Sequence, residues 1–86
     1  MNNTAITSRE ELIRDRDSLR VILYLAEYNP NIKIQALEDA LGMSQDKLVP
    51  IIHRLRNNGI VSFNETKDTY ELSPFGRNIV GNLRRL

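Results

Sequence analysis

The sequence predicts a mainly α-helical domain with one small β-hairpin, an α+β chain with a helix at each end, on three observations. Leu48, Ile51, Ile52 and Leu55 repeat at helical spacing between Ser44 and an Asn57-Asn58-Gly59 stop. A shorter helical pattern closed by Gly42 precedes them, and two runs rich in strand formers follow, joined by the polar loop Asn64-Glu65-Thr66-Lys67-Asp68. A helix, a turn, a second helix and a hairpin in that order form a compact nucleic-acid reading head, with one helix shaped for the major groove.

The elements follow in chain order. Residues 1–7 are expected as a disordered tail. Ser8-Arg9-Glu10-Glu11 matches a capping box, in which a hydroxyl and a carboxylate satisfy backbone donors at a helix start. A helix is expected from about Arg9 to Tyr28, unless Asp17-Ser18 caps a separate helix and leaves a short one before it. Asn29-Pro30 ends it, because the residue before proline is pushed out of the α region.

Leu19, Ile22, Leu23 and Ala26 form the stripe expected to face the core, and Val21, Tyr24, Leu25 and Tyr28 form a second apolar surface. A helix apolar nearly all round needs cover on several sides. Part of that cover is expected from residues 74–86, where Ser73 suits an N-cap, Pro74 suits the first helical position, and Phe75, Ile79, Leu83 and Leu86 recur at helical spacing. The surplus also predicts a homodimer, with Val21, Tyr24, Leu25, Tyr28, Ile79, Leu83 and Leu86 at its interface.

Ile32-Lys33-Ile34 alternates as a very short strand able to pair with the hairpin edge. Gln35 to Leu41 makes two helical turns with Leu37, Ala40 and Leu41 inward, and Gly42 supplies a left-handed turn. Ser44 caps the next helix. Pro50 lies beyond its first turn, deletes one helical hydrogen bond, and should bend the helix or delay its start. Ile60-Val61-Ser62-Phe63 and Thr69-Tyr70-Glu71-Leu72 are the strands.

Composition narrows the function. At 86 residues one domain is expected, and a domain this small buries only a little over half of its unfolded surface. Cysteine is absent and histidine occurs once, which excludes disulfides, thiolate metal sites and cysteine nucleophiles. No apolar stretch is long enough to span a bilayer and no signal-peptide pattern opens the chain, so a cytoplasmic protein is the expectation. No nucleophile elbow, phosphate-cradling glycine loop or metal-spaced carboxylate set occurs. The chain reads as a non-enzyme without cofactor. Net charge is +1, yet residues 1–41 hold five basic and seven acidic side chains while residues 42–86 hold seven basic and four acidic, which concentrates cations where the reading helix and hairpin lie. The interleaved Arg14, Asp15, Arg16 and Asp17 read as a solvated helix face.

ALEDALGMS, LVPIIHRLRNNGIV and YELSPFGRNIV together resemble the winged helix-turn-helix transcription regulators, most closely small regulators of the MarR and ArsR type. The resemblance covers the chain from about Ser18 onward. It implies a single winged-helix domain that binds double-stranded DNA, with a reading helix at about residues 44–58 in the major groove and a wing at about 60–72 on the backbone. Carried over, the contact residues are Ser44, Gln45, Lys47, Val49, His53, Arg54, Arg56 and Lys67. Of these, Gln45 suits a base edge and Arg54, Arg56 and Lys67 suit phosphate. Four features depart from the family pattern. Asp46 would face a polyanion, Val49 and Pro50 offer no hydrogen bonds, Glu38 stands where a small residue is usual, and the wing loop sets Lys67 against Glu65 and Asp68. They motivate an alternative in which the same fold serves as a protein-interaction module without sequence-specific DNA binding.

Overall fold

The first helix starts where Asp15 accepts two hydrogen bonds from Ser18, one from the backbone N–H at 3.1 Å and one from the hydroxyl at 2.6 Å. That is an N-cap, which satisfies a donor that the first helical turn would otherwise leave orphaned. The computed structural model describes residues 14–28 and 31–84, and helix α1 spans Arg16–Tyr28. Arg14 is itself helical and Asp15 is a bend. A helix therefore starts at Arg16 behind a cap at Asp15 rather than at Asp17-Ser18, and the expectation for residues 9–13 lies outside the described residues. The expected tail at residues 1–7, the Ser8 capping box, the Asn29-Pro30 stop, Arg85 and Leu86 lie outside the described residues.

Helix α1 is rotated from the expected orientation. Ser18, Val21, Ile22 and Leu25 are buried, whereas Leu23 is exposed and Leu19 and Ala26 are half-buried. Hydrophobicity could not select between the two apolar stripes, and the one chosen lets the small Ser18 pack inward while its hydroxyl is held by Asp15.

Helix α2, Ile34–Leu41, ends at Gly42 in the left-handed conformation, φ 65° and ψ 32°. The N–H groups of Gly42 and Met43 both donate to the Glu38 carbonyl, and Met43 is buried immediately after the turn. A hydrophobic residue in this place commonly accompanies such a cap. Of the three positions expected inward, Leu37 is fully buried, Leu41 is half-buried, and Ala40 is exposed.

Helix α3, Gln45–Asn57, buries Leu48, Ile51, Ile52 and Leu55, the four positions its periodicity marks. Full burial of such side chains contributes about 1.5–3 kcal/mol each as an upper estimate. Pro50 sits inside the helix without delaying its start, since the helix begins at Gln45 directly after Ser44. Gly59, at φ 74°, closes it; the Gly59 N–H donates to Arg56 O and the Ile60 N–H to Leu55 O, both at 2.9 Å.

Strands β1, Val61–Asn64, and β2, Thr69–Leu72, pair antiparallel with Val61 opposite Leu72 and Phe63 opposite Tyr70. Ile32 adds a single bridge to the outer edge of β2, exchanging hydrogen bonds with Tyr70 at 2.8 and 3.1 Å. The short strand expected near Ile32 is thus one bridge long, and α2 begins at Ile34. Helix α4, Pro74–Arg84, leaves the hairpin through Ser73, whose hydroxyl oxygen accepts the Gly76 N–H at 2.9 Å and whose own proton goes to Gly59 O at 2.5 Å. Gly76 packs so closely on this junction that a Cβ there would lie 2.2 Å from the Ile60 carbonyl oxygen. The described residues therefore form four helices and a two-stranded antiparallel hairpin around one core, with α1, α3 and Ile60 at its centre.

Candidate nucleic-acid interface

Four inward positions fix the outward face of α3. At 100° per residue, Asp46, Pro50, His53 and Asn57 lie opposite the buried stripe, Lys47 and Arg54 lie on one flank, and Gln45, Val49 and Arg56 lie on the other. All of these are exposed except Val49, which is half-buried. Ser44 is the N-cap residue with extended backbone, φ −71° and ψ 159°, but its side chain makes no capping bond. Its carbonyl takes the Lys47 and Leu48 N–H groups at 3.1 and 2.9 Å. The start of α3 is thus an exposed positive dipole end with an uncommitted hydroxyl beside it.

The flank carrying Arg56 faces the hairpin. Its guanidinium carbon lies 5.2 Å above the centre of the Phe63 ring, and Phe63 in turn meets Tyr70 at 4.8 Å between ring centres. This stack couples the outward face of α3 to the hairpin through a cation–π contact. At the far end of the hairpin, Asn64 Oδ1 accepts the Lys67 N–H at 3.1 Å, and Asp68 adopts φ 57° to close the turn. Lys67 is exposed there between Glu65 and Asp68, which are exposed as well.

The opposite flank meets the start of α1. Lys47 Nζ lies 3.0 Å from Asp17 Oδ2, and an Arg54 guanidinium nitrogen lies 3.6 Å from Asp15 Oδ2. Arg20 stands 3.8 Å from Asp17 and also donates to the Leu41 carbonyl at 2.6 Å. The Ser18 hydroxyl holds the Asp15 carboxyl below its ordinary value, helped by the Ser18 N–H and by Arg54 and Lys47, against the opposing effect of burial. Asp15 is therefore anionic at neutral pH. The cations expected to converge on one surface divide: Lys47 and Arg54 turn toward two aspartates, and Arg56 turns toward the hairpin. Asp15 and Asp17 were invisible to sequence reasoning as part of this site, because about thirty to forty residues separate them from their partners and only the packing of α1 on α3 joins them. The solvated face expected for residues 14–17 is, at Asp15 and Asp17, an ion-paired one.

The expected dimer surface is reduced. Val21 and Leu25 are 0% and 1% exposed within a single chain, so the core has consumed them and neither can meet a partner. Tyr24, Ile79 and Leu83 are half-buried, and Tyr28 is 62% exposed and stacked on Tyr24 at 4.7 Å between ring centres. A shallow cavity of about 200 Å³ between α1, β2 and α4 is lined by Ala26, Leu72, Arg77, Val80 and Gly81. It falls below the roughly 300–1,000 Å³ typical of small-molecule sites, and α3 contributes nothing to it. Among the described residues no three His, Cys, Asp or Glu side chains gather as metal ligands, and no helix is long and apolar enough to cross a membrane. Neither a protein-family model, nor a curated protein, nor a solved structure matches this chain.

Proposed function

We propose that the chain is a winged-helix DNA-binding protein that acts as a transcription regulator, with α3 as its reading helix in the major groove and the hairpin as its wing on the backbone. What supports this most is the outward face of α3. It is solvent-exposed from Ser44 to Asn57, starts with an exposed dipole end, and is tied through Arg56 and Phe63 to a hairpin whose turn presents Lys67. In this reading Ser44 and the first amides of α3 take a phosphate, Gln45 and His53 reach base edges, Val49 touches a thymine methyl, and Arg54, Arg56, Lys47 and Lys67 take phosphates.

A mobility shift on random duplex at low salt tests it, repeated with Arg54→Ala and Arg56→Ala combined. Binding at micromolar protein that weakens steeply with salt and drops about tenfold or more in the double variant is expected, since each lost phosphate contact removes one released counterion. Absence of binding, or an unchanged double variant, would remove the basis of the reading.

A second reading is favoured by one specific observation: Asp46 and Pro50 occupy the middle of the outward face of α3, while Lys47 and Arg54 are already paired. On it the domain is a protein-interaction module, and its partner's affinity responds little to salt. Under the regulator reading the protein is a homodimer that sets two reading helices one helical turn of DNA apart, about 34 Å. Apolar surface left outside the core supports pairing, with Leu23, Tyr28 and Phe75 exposed in addition to the half-buried Ile79 and Leu83.

A further inference from the structure

Two of the cations on α3 carry carboxylate partners from a distant part of the chain, and both partners sit at the start of α1, Asp15 as its cap and Asp17 in its first turn. Lys47 Nζ to Asp17 Oδ2 is 3.0 Å and Arg54 to Asp15 Oδ2 is 3.6 Å, with the four side chains 27–55% exposed. Both cations thus face a carboxylate oxygen on the exposed flank of α3, where a phosphate oxygen would compete for the same charge. We propose that Asp15 and Asp17 are an internal stand-in for phosphate, occupying Lys47 and Arg54 until a duplex displaces them and thereby weakening binding to nucleic acid that offers few contacts. The proposal rests on the DNA-binding reading of the α3 face.

The device is built rather than incidental at Asp15. Its carboxylate is fixed by both hydrogen bonds from Ser18, so the anion cannot swing away from Arg54 without uncapping α1. At Asp17 the carboxylate is shared between Lys47 and Arg20, and Arg20 is anchored in turn on the Leu41 carbonyl. Exposed ion pairs of this kind hold their partners weakly, by up to about fivefold each in equilibrium terms, so a polyanion can displace them. A lone phosphate gains little by doing so, whereas a duplex that also meets Arg56, Lys67 and the start of α3 gains counterion release at every contact.

The test is duplex affinity by fluorescence anisotropy from low to moderate salt for the wild type, Asp17→Asn, Asp15→Asn, Lys47→Ala, and Asp17→Asn combined with Lys47→Ala, the last read against Lys47→Ala alone. Asp17→Asn touches no backbone cap. Asp15→Asn retains an oxygen for Ser18, and asparagine caps helices well, so both chains keep α1. The expected result is a gain of up to about fivefold for each single aspartate change, a salt slope steeper by about one phosphate per released cation, and loss of the Asp17→Asn gain when Lys47 is absent. Asp39→Asn, an equal charge change on α2, should leave affinity within about twofold.

If the wild type binds and the aspartate variants bind no better, the stand-in is refuted and the DNA-binding reading stands. If the gain persists undiminished without Lys47, it is a general charge effect and the stand-in is likewise refuted. If none of the chains binds duplex even at low salt, both the DNA-binding reading and the inference resting on it fall.

Discussion

Gly76 and Gly81 share helix α4 and should respond oppositely to the same added methyl group. Gly76 lies in the first turn of α4, where an added Cβ would stand 2.2 Å from the Ile60 carbonyl oxygen, well under the 3.0 Å that real Cβ contacts keep. That oxygen belongs to backbone held in place by the Ser73 N–H at 2.9 Å, while the Ile60 N–H is itself bound to Leu55 O at 2.9 Å. Separation by the missing 0.8 Å or more must therefore break the contact between α4 and the exit of α3. Overpacking of this kind costs about 1–3 kcal/mol, and disturbing the Gly76 N–H to Ser73 Oγ bond adds about 1 kcal/mol. Alanine recovers about 1 kcal/mol of helix propensity, so the net loss for Gly76→Ala is about 1–3 kcal/mol. Gly81 has nothing within 4 Å of its Cβ position, and Gly81→Ala should gain about 0.5–1 kcal/mol. Thermal unfolding by circular dichroism reads both: a fall of roughly 5–20 °C for Gly76→Ala and a rise of several degrees for Gly81→Ala. A Gly76→Ala protein as stable as the wild type would refute the packing described for this junction.

Ser73→Ala should lose about 1–3 kcal/mol in urea unfolding, because a cap bond and a buried hydroxyl donor go together, whereas Ser44→Ala should change stability by less than about 0.5 kcal/mol, since Ser44 makes no side-chain cap bond. Asp15 has a lowered pKa in the folded chain, so its contribution is present above the unfolded value of about 3.9 and is lost as pH falls through the folded value. Stability measured between pH 6 and pH 2 should decline in that acid range, and Asp15→Asn should flatten the decline. Sedimentation at tens of micromolar should show a dimer; a single 9.9 kDa species would remove the pairing proposal.

Periodicity revealed what one buried stripe can reveal. The four core positions of α3, the left-handed turn at Gly42 and the Ser73-Pro74 start of α4 were legible because each rests on local chemistry: spacing, φ above zero, or a cap. The rotation of α1 was not, since Leu23 and Val21 are equally apolar and only packing chooses between them. Met43 escaped notice because a single residue after a turn has no period. The candidate site was legible in its α3 positions and illegible in its electrostatics. Lys47 and Arg54 could be placed on a helix face, but their pairing with Asp17 and Asp15 depends on which side of α1 reaches α3, the rotation for which the sequence pattern pointed to the wrong stripe.

The location of binding is the most direct measure of the proposed function. Amide chemical shifts of the labelled protein, followed as a random-sequence duplex is added at low salt, should move along the exposed side of α3 from Gln45 to Arg56, at the Lys67 turn, and at Asp15 and Asp17 as their partners leave. Shifts confined to α1 and α4 around Tyr28 and Leu83, or no shifts at all, would contradict it.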